Sequence, residues 1–423
     1  MSRFDDLPSL TPRDVAAPLA LHDILVVDFT QFISGPYCTM ILADFGAEVV
    51  KVENPAHGDD FRLMKMAELA SGDGAPFLWA NRNKRSVTLD LSHPAGREVA
   101  ADLIKRADVV VENFSAGVMR RFGLDYDSVV AANPAVVYCS ISAAGRHGTL
   151  SNRVAFDPVS QAETGFIALN RGSGVANRAV NTPIVDLTTG MMAAMAILAA
   201  LIARPRLGKG QLVEIAMFDQ GINLLAYQAM NHLISGLEPP AGPARSPAPL
   251  GVFPTSDGEI YICCANDRTF RRLVVDALGR GDLADDPRFA SMAARTANGE
   301  AFLTILAEIL LSDTREAWLE KLRASGVPVG PVASVSEALA SPEIAERGLV
   351  SRIPHRPGVA GWAPHIVPPF RMSLTPVADP VIAPALGQHT VEVMRGVLGY
   401  APSRIDELAA LGAFGAVARS WDR

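Results

Sequence analysis

The sequence predicts an α/β protein: a mainly parallel sheet covered on both faces, followed by a smaller α+β domain. Two observations predict it. Short β-rich apolar runs alternate with stretches of helical spacing as far as Ser142. A segment rich in proline and glycine then precedes a hairpin signal and further helical stretches.

Residues 1–20 read as a loose arm, polar and proline-bearing, without the basic start and apolar core of a signal peptide. Ile24–Thr30 (ILVVDFT) is the first strand. Gly35-Pro36 follows, and proline suits a first helical position. Tyr37–Phe45 continues as helix and Glu48–Glu53 (EVVKVE) is the next strand, completing a β-α-β unit. After a loop-rich stretch come a strand at Ser86–Leu91, a helix at Pro94–Arg106, and strands at Val109–Phe114 and Ala135–Ser142. No GxGxxG follows the first strand, so neither a nicotinamide nor a flavin dinucleotide is expected.

Leu187–Ala203 carries no charge and reads as a closely packed core helix rather than a membrane span. Gly208-Lys209-Gly210 is a turn before Gln211–Phe218, a strand or strand–helix junction. Residues 236–251 read as linker. Ser256-Asp257-Gly258 marks a hairpin into Ile260–Ala265, helical stretches fill 268–325, residues 341–385 look irregular, and 387–413 is helical. The expected boundaries are an arm at 1–20, a large domain from 21–225, a linker at 226–250, a small domain at 251–335, and a return segment at 336–423.

The 423 residues are 49% hydrophobic and 20% charged, which excludes a disordered chain. The net charge of −7 gives no basic field for a nucleic-acid partner. None of the four cysteines forms a CxxC pair, and the adjacent Cys263 and Cys264 point to opposite faces if extended, which suits a reducing, cytoplasmic setting. No histidine has metal-site spacing, so no metal is expected. Ser34, Ser140 and Ser142 lie outside any GxSxG elbow, which removes the hydrolase signal.

Asp186 sits just before the apolar helix. Read locally, it is a helix N-cap or a carboxylate nucleophile. Lys84 and Arg85 form a basic cluster, either a solvated loop or a phosphate clamp. Asn113 and Phe114 end a parallel strand, where ligands bind, and Phe114 is a core residue or packs a purine. Asp157 is a second carboxylate, or a turn residue. Taken by themselves, these residues indicate an α/β enzyme for a phosphorylated ligand.

The motifs as a set go further. Val27 to Thr30 (VDFT), Ser34 to Thr39 (SGPYCT) and Leu42 to Glu53 (LADFGAEVVKVE) closely resemble the opening of the class III CoA-transferases, relatives of formyl-CoA transferase and carnitine CoA-transferase. The likeness continues through Asn83-Lys84-Arg85-Ser86, Asp108–Phe114 (DVVVENF), Asn133-Pro134 and Asp157–Ala162 (DPVSQA). It reappears at Gly208–Gln211, Gly326–Pro331 (GVPVGP) and Leu386–Thr390 (LGQHT).

That resemblance implies a Rossmann-like large domain built from both chain ends, a smaller middle domain, and an interlocked homodimer. It implies acyl-CoA and carboxylic acid substrates, with coenzyme A carried as a thioester and no metal. It makes Asp186 the nucleophile, passing through an aspartyl-CoA thioester. It places Leu89, Asn113, Phe114, Val118, Arg121 and Lys84 at the CoA, and Ile33, Phe156 and Asp157 at the substrate pocket. The family also holds α-methylacyl-CoA racemases, but the matching histidine is Phe156 here, and phenylalanine moves no proton. A racemase would need another base, such as Asp157; a non-catalytic CoA-binding protein would be indifferent to Asp186. Ala244–Pro249 lacks the glycine run that forms a lid in some members. Succinate or a similar diacid is the expected donor or acceptor, its far carboxylate paired by Arg62, Arg153, Arg171 or Arg245.

Overall fold

The computed structural model describes residues 6–69, 71–151, 153–170, 179–240, 249–357, 359 and 361–415. The chain forms two compact units. The first draws on the chain before Ala168, on 179–236 and on the chain from Ala345 onward; the second is mostly Leu237–Ile344.

The first unit is built on β1 (Leu25–Asp28), β2 (Glu48–Glu53), β3 (Lys84–Thr88), β4 (Val109–Glu112), β5 (Val137–Ser142) and β6 (Leu212–Ala216). They lie in the order β3-β2-β1-β4-β5-β6, with every pairing parallel. That is the order of doubly wound sheets, whose chain switches direction between β1 and β4. The helices that frame the site are α1 (Ser34–Asp44), α2 (Pro94–Arg106), α3 (Asp157–Glu163), α4 (Ile184–Leu207) and α5 (Ala226–Ser235); α6 (Thr390–Gly396) and α7 (Pro402–Ala410) follow near the C-terminus.

Successive residues of a strand face opposite sides, so strands covered on both faces carry apolar residues on each side. Val27, Val50, Val110 and Tyr138 face one core, closed by α2, α6 and α7 through Leu103, Met394 and Leu408. Their neighbours Val26, Val49, Val109 and Val137 face the other, closed by α1 and α4 through Leu42 and Ile197. Helix α2 starts as its sequence suggests: Pro94 opens it, the His93 ring accepts from the Ala95 amide, and Lys105 and Arg106 sit in the last turn.

In α4 the buried residues Asp186, Thr189, Gly190, Ala193, Ile197 and Ala200 recur at helical spacing. Gly190 lets α1 approach: a Cβ there would stand 2.6 Å from the Ser34 carbonyl oxygen. The opposite face, with Met191, Met195 and Ile202, is exposed. The packing expected of this helix therefore holds on one face only.

Two expectations need correction. The linker expected from residue 226 begins as helix α5, because Ala226–Ser235 holds no glycine or proline and is amphipathic before Gly236 ends it in the left-handed region. The stretch expected to be irregular contains an antiparallel pair, β10 (Val350–Pro354) with β11 (Trp362–Ile366), whose alternate residues are buried. In the second unit, β7 (Leu250–Pro254), β8 (Glu259–Cys263) and β9 (Val329–Pro331) form an antiparallel sheet around the expected hairpin. Its core gathers Ile260, Ile262, Phe302 and Trp318.

Candidate active site

The crevice at the C-terminal ends of β1 and β4 is formed by the loop between β1 and α1. Phe32 in that loop has φ 63°, a conformation a bulky residue adopts only when held there. The holding groups are identifiable. The Asn113 side chain accepts from the Gln31 amide and donates to the Gln31 carbonyl, both at 2.8 Å. Asp59 Oδ1 accepts from the Phe32 amide at 3.0 Å.

Beneath the loop lies a buried ionic network. Asp28 accepts from the Thr30 amide at 2.8 Å, from the Thr39 hydroxyl at 2.7 Å and from Lys84 Nζ at 3.1 Å. Lys84 also donates to the Pro36 carbonyl and Asn81 Oδ1, both at 2.9 Å. Lys51 Nζ bridges Asp59 at 2.9 Å and the Thr30 carbonyl at 2.7 Å. Burial alone would raise the Asp28 carboxyl, but Lys84, Lys51 and the threonine hydroxyls outweigh it and hold the group at about 2. The network fixes the position at which α1 begins.

Asp186 lies in the first turn of α4, two residues inside the helix rather than at its cap. The cap position is Pro183, which offers no side-chain bond. Asp157 supplies one from α3: its Oδ2 accepts from the Val185 amide at 2.7 Å and the Asp186 amide at 3.0 Å. Gln161 donates to the other Asp157 oxygen. So the capping that a local reading offers Asp186 is done by Asp157, and the Asp186 side chain is left for other use.

Burial, and secondly the negative charge of Asp157, raise the Asp186 carboxyl from its ordinary value near 3.8 to about 7; hydrogen bonding to the hydroxyl and amide of Ser34 opposes the rise. Two helix N-termini, α1 at Ser34 and α4 itself, thus meet at one buried carboxylate. The sign of the linkage follows. Between pH 4 and 7 the folded state holds a proton that the unfolded chain releases, so this group lowers stability as pH rises through that window. Asp186→Asn is expected to raise Tm at pH 8, by a gain of at most roughly 4 kcal/mol, and to change it little at pH 4. A Tm difference that stayed constant with pH would count against a raised carboxyl.

Asp186 opens into a cavity of about 220 Å³ lined by Phe32, Ser34, Asn113, Phe114, Arg146, Arg153 and Phe156, among others. A second cavity of about 290 Å³ shares Ser115, Ala116 and Arg146 with it. A buried carboxylate at helix N-termini beside a small cavity, with no cation paired to it among the described residues, suits attack on an activated carbonyl better than metal binding or ion pairing.

Comparison with known proteins bears on which chemistry this is. Residues 21–390 match the model of CoA-transferase family III. The chain belongs to CoA-transferase family III. It is 34% identical to a succinate–glutarate CoA-transferase of Agrobacterium fabrum, over 92% of this chain and 96% of that one. It is 32% identical to the succinyl-CoA:glutarate CoA-transferase of Homo sapiens, over 93% and 89%. A crystal structure of a CAIB/BAIF family protein from Brucella suis superposes with a TM-score of 0.80 at 35% identity, covering 90% of this chain and all of that one.

This CoA-transferase places some of the expected residues at the cavity and others away from it. Asn113, Phe114 and Phe156 line it, with Phe156 edge-on to Phe32 at 5.3 Å between ring centres. Ile33 is not among its lining residues; it packs on the Phe61–Phe77 cluster, as Phe32 also does, while Phe32 and Ser34 line the cavity. The Leu89 side chain is buried in the core with α2. Lys84 is neither a solvated loop residue nor free to clamp a phosphate, because it is buried on Asp28. Arg85, expected beside it, pairs instead with Glu48. Val118 is half-buried and Arg121 exposed, in the short helix that follows Phe114.

Arg62 is tied to Glu53 by two bonds of 2.7 Å and lies over the Phe77 ring. Arg171, Arg245 and most of the Ala244–Pro249 stretch lie outside the described residues. Sequence reasoning missed Ser34 and Arg146 as site residues. The signal for Ser34 was present, as the residue before the Gly35-Pro36 helix start; Arg146 had none.

Proposed function

We propose that this enzyme moves CoA between small carboxylic acids through an aspartyl-CoA thioester on Asp186. The observation that carries the reading is the buried carboxylate of Asp186, without an ion-pair partner among the described residues, facing a cavity at the N-termini of α1 and α4. Attack by Asp186 on the donor thioester carbonyl expels CoA thiolate and leaves a mixed anhydride. The thiolate then attacks the aspartyl carbonyl, releasing the donor acid and forming the aspartyl thioester. The acceptor carboxylate attacks that thioester, giving a second anhydride and thiolate. The thiolate finally takes the new acyl group and frees Asp186.

The Ser34 amide and hydroxyl, which hydrogen-bond Asp186, support the reading as donors that would steady the oxyanions. The two adjoining cavities, along the ends of β4 and β5, give the thioester arm a course from Phe114 toward Ser115 and Ala116. Two relatives named for succinate or succinyl-CoA support succinyl-CoA, or another small diacid thioester, as donor. The engagement of both Asp157 oxygens weighs against Asp157 as the base of a racemase.

The test is intact-protein mass after incubation with succinyl-CoA. A CoA-sized adduct that hydroxylamine removes and Asp186→Ala lacks is the expected result; an adduct that survives in the variant overturns the assignment. We propose also that the working form is an interlocked homodimer, which the exposed apolar faces of α4 and α5 support through Met195, Ile202, Tyr227, Leu233 and Ile234. Sedimentation at working concentration should show a dimer; a folded monomer would overturn it.

A further inference from the structure

We propose that Arg153 reads a second carboxylate on the acid portion of the substrate, exchanging its partner Glu163 for it. The inference rests on the reading of Asp186 as the group that takes the CoA. Two arginines are among the described residues that line the Asp186 cavity, Arg146 and Arg153.

Arg146 is committed to the protein. Its Nε donates to Ser140 Oγ at 2.6 Å and its Nη1 to the Phe114 carbonyl at 2.9 Å. Its Nη2 donates to Glu112 Oε1 at 2.7 Å and the Ile141 carbonyl at 3.0 Å. It ties the ends of β4 and β5 together, and a ligand that took it would leave Glu112 buried without its cation.

Arg153 differs. It precedes α3 and ion-pairs with Glu163 at the far end of that helix, with 38% of the arginine side chain and 22% of the glutamate exposed. A pair this open to water contributes little, so a substrate carboxylate can replace Glu163 without a buried charge being stranded. A guanidinium offers a carboxylate two parallel donors. The same cavity holds Asp186, and its volume of about 220 Å³ suits a short chain. A short acid lying there with its reacting carbonyl at Asp186 meets Arg153 only if it carries a second anionic end. Glu163 keeps the arginine extended and neutralised until such an acid arrives.

The test measures the rate of CoA-adduct formation from a length-matched pair of donors, succinyl-CoA and butyryl-CoA, on the full-length enzyme. Wild type should favour succinyl-CoA about 10- to 100-fold. Arg153→Gln should collapse that ratio toward 1 through loss of the succinyl-CoA rate, and Arg153→Lys should restore part of it. Glu163→Gln should lower the KM for succinyl-CoA severalfold, because the substrate no longer competes with an internal carboxylate. Adducts from both donors at equal rates in wild type, or a preference kept by Arg153→Gln, overturns the role of Arg153 and leaves that of Asp186 standing. No adduct from either donor overturns both.

Discussion

Asp186→Asn is expected to abolish CoA transfer, with turnover reduced on the order of 10⁴-fold or more, as for other nucleophiles removed from a covalent mechanism. Asparagine matches the carboxylate in shape and keeps the hydroxyl of Ser34 within reach of an oxygen, so the fold and the cavity should survive. The loss is chemical, because an amide oxygen does not displace a thiolate. In wild type the reactive form is the carboxylate, and the group titrates at about 7. The kcat/KM of the free enzyme should therefore rise about tenfold per pH unit below pH 7 and level off above it. A profile flat from pH 5 to 8 would mean that Asp186 is ionised throughout, or that its ionisation does not limit the rate. Comparing the rate profile with the pH-dependent Tm difference of Asp186→Asn separates those two outcomes.

Lys84→Met should cost about 3–5 kcal/mol of stability, read as a fall in the urea midpoint. Lys84 and Asp28 are both wholly buried, and methionine would leave the Asp28 carboxylate without its nearest cation. The double variant Asp28→Asn with Lys84→Met should lose less than the single one, since removing both charges strands neither. The outcome separates a structural lysine from a ligand clamp. A variant as stable as wild type but weakened for CoA would restore the phosphate-clamp reading and sink this one. The effect should reach the site as well, because Lys84 also holds the Pro36 carbonyl in the first turn of α1, beside Ser34.

The elements were legible wherever a residue's own neighbours decide its conformation. Glu48–Glu53 and Pro94–Arg106 occupy the expected spans to the residue. The first sets three valines among charged residues in a β-rich run, and the second has a proline start and a basic last turn. The stretch from 226 was misread because composition beyond Gly236 was extended backward over a good helix. The β10–β11 pair was missed because its prolines read as irregular chain, although they sit at exposed strand positions and a strand end.

For the site, the sequence by itself determined which residues exist to do chemistry: an aspartate at the start of an apolar helix, in a chain whose motifs resemble one family. Only the tertiary structure decided how each is used. Asp157 and Asp186 are 29 residues apart, and only the meeting of α3 and α4 makes the first cap the helix and the second face the cavity. Lys84 and Asp28 are 56 residues apart, joined because β3 and β1 share a sheet with β2 between them. Ile33 and Ser34 are adjacent, yet Ile33 packs on the Phe61–Phe77 cluster and Ser34 lines the Asp186 cavity. Helix and strand propensities act over a few residues, so they settle conformation. Burial and charge pairing act between segments that only the fold brings together, and they settle which carboxylate caps, which lysine is buried in an ion pair and which carboxylate faces the cavity.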